Sequence, residues 1–192
     1  MIRVLMSLLV WGGLALSMAG CAAALSTPRG VVWVTITEAT IRVGDPLPVP
    51  EGPVVLTITG RVTAAGAGRA LRLDMATLEA LGRVSMRVDD QVAEGREVVF
   101  EGVLLSTLLA VAGTAEEATT LVVVSLNDTR VEIPLSDVRE LPVLLATRVD
   151  GQPIPIDRYG PLRIVYPFGQ VDLQQVIYEV RSIGHLARIE VH

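Results

Sequence analysis

The chemistry open to this chain is set by a narrow choice of side chains. All 16 basic residues are arginines, so lysine Schiff bases, lysine phosphate clamps and amine general bases are excluded. The single cysteine is Cys21, and the two histidines are His185 and His192. A disulfide framework, a thiolate zinc site and a cysteine nucleophile are therefore excluded beyond residue 21. Carboxylates, hydroxyls, backbone groups and arginines remain.

The charge balance bears on possible partners. The 192 residues carry 21 acidic against 16 basic side chains, a net charge of -5, and the arginines are scattered along the chain. Nucleic-acid phosphates need a concentrated basic surface. We therefore expect no nucleic-acid partner.

The N-terminus has the pattern of an export signal. Arg3 precedes a mostly apolar run, residues 4–16, and then a series of small residues. The run is shorter than the roughly 20 apolar residues that cross a bilayer. Residues 18–21, Met-Ala-Gly-Cys, resemble a bacterial lipoprotein processing site, which predicts a signal peptide over 1–20 and lipidation of Cys21. Ordinary cleavage after Ala24 is the alternative, and both predict an exported, periplasmic protein.

The remaining chain must supply the elements that position any site. A tether is expected over 21–30 and one domain over 31–192. An N-cap at Asp74 begins a short helix that stops at Gly82, and a second helix, opened by Gly102, spans 104–112 and stops at Gly113. A helical turn capped at 136–137 is also expected. Strands are predicted at 31–37, 54–62, 71–73, 83–88, 98–100, 121–126, 130–134, 143–149, 162–166 and 186–191. The predicted fold class is β-rich α+β.

Three ordered stretches carry a family resemblance. They are residues 99–109, residues 126–134 with 145–155, and residues 159–167 with 181–191, which include Tyr-Gly-Pro-Leu-Arg at 159–163. In order and spacing they resemble the oxidoreductase molybdopterin-binding domain, the fold of sulfite oxidase and related periplasmic enzymes. The resemblance implies a single domain of this type and makes molybdopterin a possible cofactor.

The departures from the family pattern bear on catalysis. The resemblance implies a molybdenum-ligating cysteine within the stretch that corresponds to residues 83–95, where this chain has Asp89-Asp90-Gln91-Val92 and no cysteine. The basic and aromatic pair that usually follows Ser182-Ile183 in the third stretch is Gly184-His185 here. A soft metal loses its thiolate ligand without replacement, which argues against sulfite-type oxidation. We assign no catalytic residue and no metal ligand.

The resemblance also indicates candidate binding residues, each with a structural alternative. Arg163 corresponds to the position from which the family approaches its anionic substrate or the pterin phosphate, and a guanidinium suits an oxyanion because it is a planar, bidentate donor. Any of the arginines could instead bind a carboxylate, and 127–128 is also a typical turn dipeptide. A cation site at Asp89, Asp90 and Glu94 is a weaker hypothesis. The predicted cofactor-binding residues are Asn127, Asp128, Arg148, Arg163, Arg181 and Ser182.

Three functions are consistent with these features. The first is an exported, lipid-anchored domain without thiolate-ligated molybdenum that binds a pterin-type cofactor or another anionic small molecule in an envelope redox context. The second is an active periplasmic oxidoreductase whose molybdenum is held only by the pterin and oxygen ligands. The third is a non-catalytic periplasmic binding or interaction module.

Overall fold

A computed structural model describes residues 33–65, 70–90, 93–171, 173 and 175–192. The expected signal peptide, Cys21 and the tether lie outside these residues. The strands are β1 (Trp33–Thr37), β2 (Val54–Gly60), β3 (Leu71–Asp74), β4 (Arg83–Asp90), β5 (Arg96–Leu104), β6 (Thr120–Ser125), β7 (Arg130–Pro134), β8 (Leu144–Val149), β9 (Gln152–Pro153), β10 (Arg163–Val165) and β11 (Leu186–Val191). The helices are α1 (Met75–Glu79), α2 (Leu105–Ala112), α3 (Leu135–Glu140) and α4 (Gln175–Arg181), and a short 3-10 turn spans Ile156–Arg158. The expected β-rich α+β class is confirmed.

The strands form two sheets. The first runs in the order β1-β4-β5-β8-β10, with β9 beside β8, and all its neighbours are antiparallel. The second runs β3-β2-β11-β6-β7, and only its β2–β11 pair is parallel. β11 thus lies at the centre of the second sheet although it is the last strand in sequence.

Alternation along the strands divides the apolar side chains between two clusters. The main core takes Leu56 from β2, Val123 from β6 and Leu145 from β8, all fully buried. The neighbouring residues Leu144 and Ala146 point to the other side of the first sheet and join a smaller cluster. Successive side chains of a strand face opposite sides of its sheet, so a strand between two apolar clusters has an almost continuous apolar sequence, as in β8.

The cap of α1 is confirmed. The Asp74 carboxylate accepts a hydrogen bond from the Thr77 backbone N–H at 2.9 Å, and its second oxygen accepts from the N–H groups of Glu51 and Gly52. Hydrogen bonds from the Thr77 side chain first, and then from the Gly52 and Thr77 backbone, lower the pKa of Asp74. The same carboxylate therefore begins the helix and fixes the end of the proline-rich loop that precedes β2.

Two expectations about local structure are wrong, and one helix was not predicted. Gly102 does not open a helix but lies within β5, and α2 begins three residues later at Leu105. Asp137 does not cap α3, because the N-cap is Pro134 and Asp137 lies in the first turn. Helix α4 had no sequence prediction. In the described part of the chain, no helix is both long and apolar enough to cross a membrane.

Candidate functional site

Arg163 and Asp90 form a buried ion pair within the first sheet, between the start of β10 and the end of β4. Arg163 is the first residue of β10 and Asp90 the last of β4. Nη2 of Arg163 lies 2.7 Å from Oδ1 of Asp90, and Nη1 lies 3.1 Å from Oδ2. The two side chains are 10% and 8% exposed. The guanidinium is therefore already bound in the bidentate geometry that an oxyanion would require.

Two aromatic rings complete the surroundings of this arginine. Its guanidinium carbon lies 5.3 Å from the ring centre of Phe100 and 5.9 Å from that of Tyr159. Phe100 is buried and Tyr159 is 44% exposed. Cation–π attraction and the low polarity of these rings both favour keeping the charge next to its own carboxylate.

Tyr159 connects this pair to the predicted turn at 127–128. Its ring centre lies 5.5 Å from that of His185, and the His185 carbonyl accepts a hydrogen bond from the Leu126 N–H at 2.8 Å. The His185 ring itself contacts the Ile156 carbonyl at 2.7 Å through Nε2. One end of the molecule therefore brings together Arg163, Tyr159, His185 and the 127–128 turn.

Within that turn, both candidate residues have a local structural role. The Asn127 side-chain oxygen accepts hydrogen bonds from the Ser125 hydroxyl and from the Thr129 N–H. Asp128 has a backbone φ of 61°, in the left-handed region that Asn and Asp tolerate in turns. Both side chains are exposed. Their predicted role in a pterin pocket stays a prediction.

Arg148 is bound to Glu79 in a second, separate charge cluster. Nε of Arg148 lies 2.9 Å from Oε1 of Glu79 and Nη2 lies 3.2 Å from Oε2, while Arg83 approaches the same carboxylate at 3.1 Å. Burial opposes ionisation of Glu79, but hydrogen bonds from Arg148 and Thr147 outweigh it and lower the pKa of Glu79. The hydrogen bonds to Glu79 raise the pKa of Arg148. This cluster ties α1 to β8.

Arg181 belongs to a third cluster, between α3 and α4. Its Nη1 lies 2.7 Å from Oδ2 of Asp137, and the Tyr166 hydroxyl donates to the same oxygen at 2.8 Å. Tyr166 is fully buried, and burial together with the hydrogen bond to Asp137 raises its pKa. The neighbouring Ser182 hydroxyl donates to the Tyr178 carbonyl at 2.8 Å, one helical turn back. These contacts hold α4 against the domain.

The six candidates therefore do not converge on one site. Arg163 and the 127–128 turn share one end of the molecule, whereas Arg148 and the pair formed by Arg181 and Ser182 lie in separate clusters. Sequence reasoning missed the pairing of Asp90 with Arg163. One signal was available, because Asp90 follows the apolar Val88 in the strand pattern and such a carboxylate needs a partner when buried.

The donor set can be compared with what a molybdenum cofactor needs. β4, β5 and the loop between them contain no cysteine, and the carboxylate at the end of β4 is already bound by Arg163. No group of three His, Cys, Asp or Glu side chains suited to a metal ion occurs among the described residues. Each candidate arginine that a pterin phosphate would use is bound to a carboxylate. These residues do not fit thiolate-ligated molybdenum or a pterin phosphate.

Comparisons with known proteins agree with the fold. The structure resembles the crystal structure of the sulfane dehydrogenase SoxCD from Paracoccus pantotrophus with a TM-score of 0.55 and 19% sequence identity. The match covers 77% of this chain but 40% of that one, so this chain spans well under half the length of that protein. No curated protein matches the chain.

A family model spans most of the described domain. The model of the oxidoreductase molybdopterin binding domain matches residues 55–191, from β2 to the end of β11. The match includes both sheets apart from β1, with the β4–β5 hairpin and the Arg163 strand. The chain therefore belongs to the oxidoreductase molybdopterin-binding domain family, as its three sequence stretches suggested.

Proposed function

We propose that this chain is an exported, membrane-anchored member of its family that acts as a non-catalytic binding or interaction module, without thiolate-ligated molybdenum. The observation that carries the proposal is the Arg163–Asp90 pair. The Asp90 carboxylate occupies the arginine that, by resemblance, would bind an anion. Asp90 also lies in the stretch 83–95, which lacks the cysteine that the resemblance implies.

The physical argument is competition. An external anion at Arg163 must displace a carboxylate that is covalently part of the chain and already desolvated, so it binds only if its contacts exceed those of Asp90. A thiolate-ligated molybdenum centre additionally needs a cysteine, and the chain has none after Cys21. The scaffold of the family is retained while the side chains that would hold its cofactor are used for internal contacts.

Metal content tests the cofactor state. The full chain is expressed in a host that makes the molybdenum cofactor, purified without chelators and assayed for molybdenum, pterin fluorescence and sulfite oxidation. We expect molybdenum far below one atom per chain and no sulfite oxidation. A family member that retains its cysteine, prepared in parallel, shows that the host loads the cofactor. One molybdenum per chain would overturn the proposal and favour ligation by pterin and oxygen alone.

Replacement of Cys21 tests the anchor. Cys21→Ser is expected to move the protein from the membrane fraction to the soluble periplasmic fraction, because the acyl chains added at this cysteine supply the stable attachment that one chain does not. Ala23→Ser, which keeps the cysteine, is the matched control and stays in the membrane fraction. Unchanged membrane attachment of Cys21→Ser, or a mature N-terminus at Leu25, would contradict the lipoprotein assignment.

A further inference from the structure

Strand β1 is an edge strand with an open side. It pairs with β4 through Trp33, Val34, Thr35 and Thr37, and in the described part of the chain no strand pairs with its other side. All five residues of β1 are exposed. An edge strand of this kind presents unpaired backbone groups and its side chains to whatever lies next to it.

The exposed side chains of β1 are unusually apolar. Trp33 is 43% exposed, Val34 57% and Ile36 44%, and the strand has no charged residue. Edge strands are usually protected by lysine, proline or an inward-pointing charge, none of which occurs in Trp-Val-Thr-Ile-Thr. An apolar edge without such protection indicates a surface that is covered in use.

A groove borders the strand on each side, and each groove contains apolar and charged side chains. Trp33 borders a groove of about 720 Å³ that also contains Leu141 and Pro142. Val34 borders a second groove, of about 660 Å³, with Val99 and Phe168. Alternate residues of a strand face opposite sides of its sheet. A surface that contacts the open edge of β1 therefore touches the side chains on both faces.

The position of β1 relative to the proposed anchor indicates what covers it. Trp33 follows Cys21 by twelve positions, a length of chain that reaches at most about 40 Å when fully extended. We propose that β1, with Trp33, Val34 and Ile36 at its centre, is a membrane-contact edge that rests on the phospholipid surface to which Cys21 is attached. The inference rests on the lipid anchor proposed above and adds a second contact, which fixes how the domain is oriented.

The contact is apolar rather than electrostatic. Arg87 and Glu97 on the same sheet neutralise each other at 3.1 Å. The two grooves together contain more acidic than basic side chains, so they do not attract anionic lipids. Tryptophan favours the interface of a bilayer, because its ring is apolar and its N–H is a hydrogen-bond donor. Contact through β1 is therefore expected with zwitterionic lipid and at high salt.

The chain contains its own reporter for this contact. Of its two tryptophans, Trp11 lies in the predicted signal peptide, so Trp33 is the only tryptophan of the processed protein. The processed protein, its acyl chains first verified by mass spectrometry, is reconstituted into phosphatidylcholine vesicles. We expect Trp33 emission to shift to shorter wavelength relative to detergent-free Cys21→Ser protein, and to be quenched by lipids brominated near the headgroup.

A double variant separates the edge from the anchor. Val34→Asp with Ile36→Asp keeps Trp33 and Cys21, and it is expected to remain attached to vesicles while quenching is lost. Val176→Asp with Val180→Asp, on the exposed face of α4 at 75% and 64% exposure, makes the same chemical change elsewhere and keeps the quenching. Val34→Thr with Ile36→Thr is a second variant, which keeps β-branched residues in the strand. If this variant also loses quenching while its thermal transition is unchanged, misfolding is excluded as the cause.

The outcomes distinguish this inference from the proposed function. A lipidated protein whose Trp33 is not quenched overturns the membrane-contact edge and leaves the anchor intact. A protein without acyl chains overturns the anchor, and vesicle-dependent quenching of that protein still supports the edge. A third outcome is that Trp33 emission shifts to shorter wavelength without lipid as the protein concentration rises, and that copies cross-link through β1. This outcome shows that a second copy covers the strand, and it overturns the inference.

Discussion

Arg163→Ala is expected to lower the free energy of unfolding by about 3 to 5 kcal/mol, because it leaves the Asp90 carboxylate buried without its partner. The loss is measured by urea denaturation of the purified protein. Arg87→Ala is the matched control: its pair with Glu97 has a 3.1 Å separation, close to the 2.7 and 3.1 Å of the Arg163–Asp90 pair, but the side chains are 71% and 60% exposed. An exposed pair contributes less than about 1 kcal/mol, so the two variants differ because of burial.

A second pair of measurements separates charge from packing. Arg163→Met with Asp90→Leu is expected to recover most of the lost stability, because removal of both charges eliminates the unpaired buried group. Arg163→Lys is expected to recover only part, since an ammonium replaces two aligned donors with a point charge. If Arg163→Ala is as stable as the native protein, the Arg163–Asp90 pair does not stabilise the fold.

The same variant tests the anion hypothesis for Arg163. The thermal transition is followed with increasing sulfate, phosphate and molybdate in native protein and in Arg163→Ala. With Asp90 in place, we expect both proteins to respond equally, as they do to any excluded salt. A saturable stabilisation that occurs only in native protein would establish an anion site at Arg163 and contradict the proposal.

Gly102→Ala is expected to prevent accumulation of folded protein. If folded protein is obtained, we expect its free energy of unfolding to be lower by more than about 3 kcal/mol. A β-carbon at Gly102 would lie 2.0 Å from the Leu145 carbonyl oxygen and 2.7 Å from the Ala146 α-carbon. Both atoms are backbone of β8, so neither can move without breaking the β5–β8 ladder in the middle of the first sheet. Soluble yield, circular dichroism and the urea transition measure the effect.

Gly52→Ala is the control for this substitution. A β-carbon there meets the Asp74 side chain at an ordinary 3.5 Å, and no left-handed backbone is involved. We expect a change within about 0.5 kcal/mol, typical of surface substitutions. A Gly102→Ala protein with the same transition as Gly52→Ala would show that the close approach of the two strands is relaxed in solution.

The sequence predicts the strands well where burial imposes a pattern. Apolar, β-branched runs such as 121–126 differ from β6 by one residue at each end, and the cap at Asp74 follows from a local side-chain preference. Helix α4 was missed because Val176, Ile177 and Val180 are β-branched and exposed, so they give neither helical propensity nor a buried stripe.

The candidate site was less predictable because its contacts are long-range. Asp90 and Arg163 are 73 positions apart, and Glu79 and Arg148 are 69 apart. The residues that flank an arginine in the sequence do not distinguish one that binds a ligand from one that binds a carboxylate of its own chain. Asp90 and Arg163 are brought together by the registers of β4 on β5, of β5 on β8 and of β8 on β10.

The central place of β11 has a consequence for how the protein is made. β11 joins β2 to β6, and its residue Ile189 pairs with Ile58 on one side and Val123 on the other. The second sheet therefore cannot close until residues 186–191 have been synthesised, and contacts of such large sequence separation form slowly. The main core, which takes Leu186, Ile189 and Val191 from this strand, therefore stays incomplete during synthesis until β11 emerges from the ribosome.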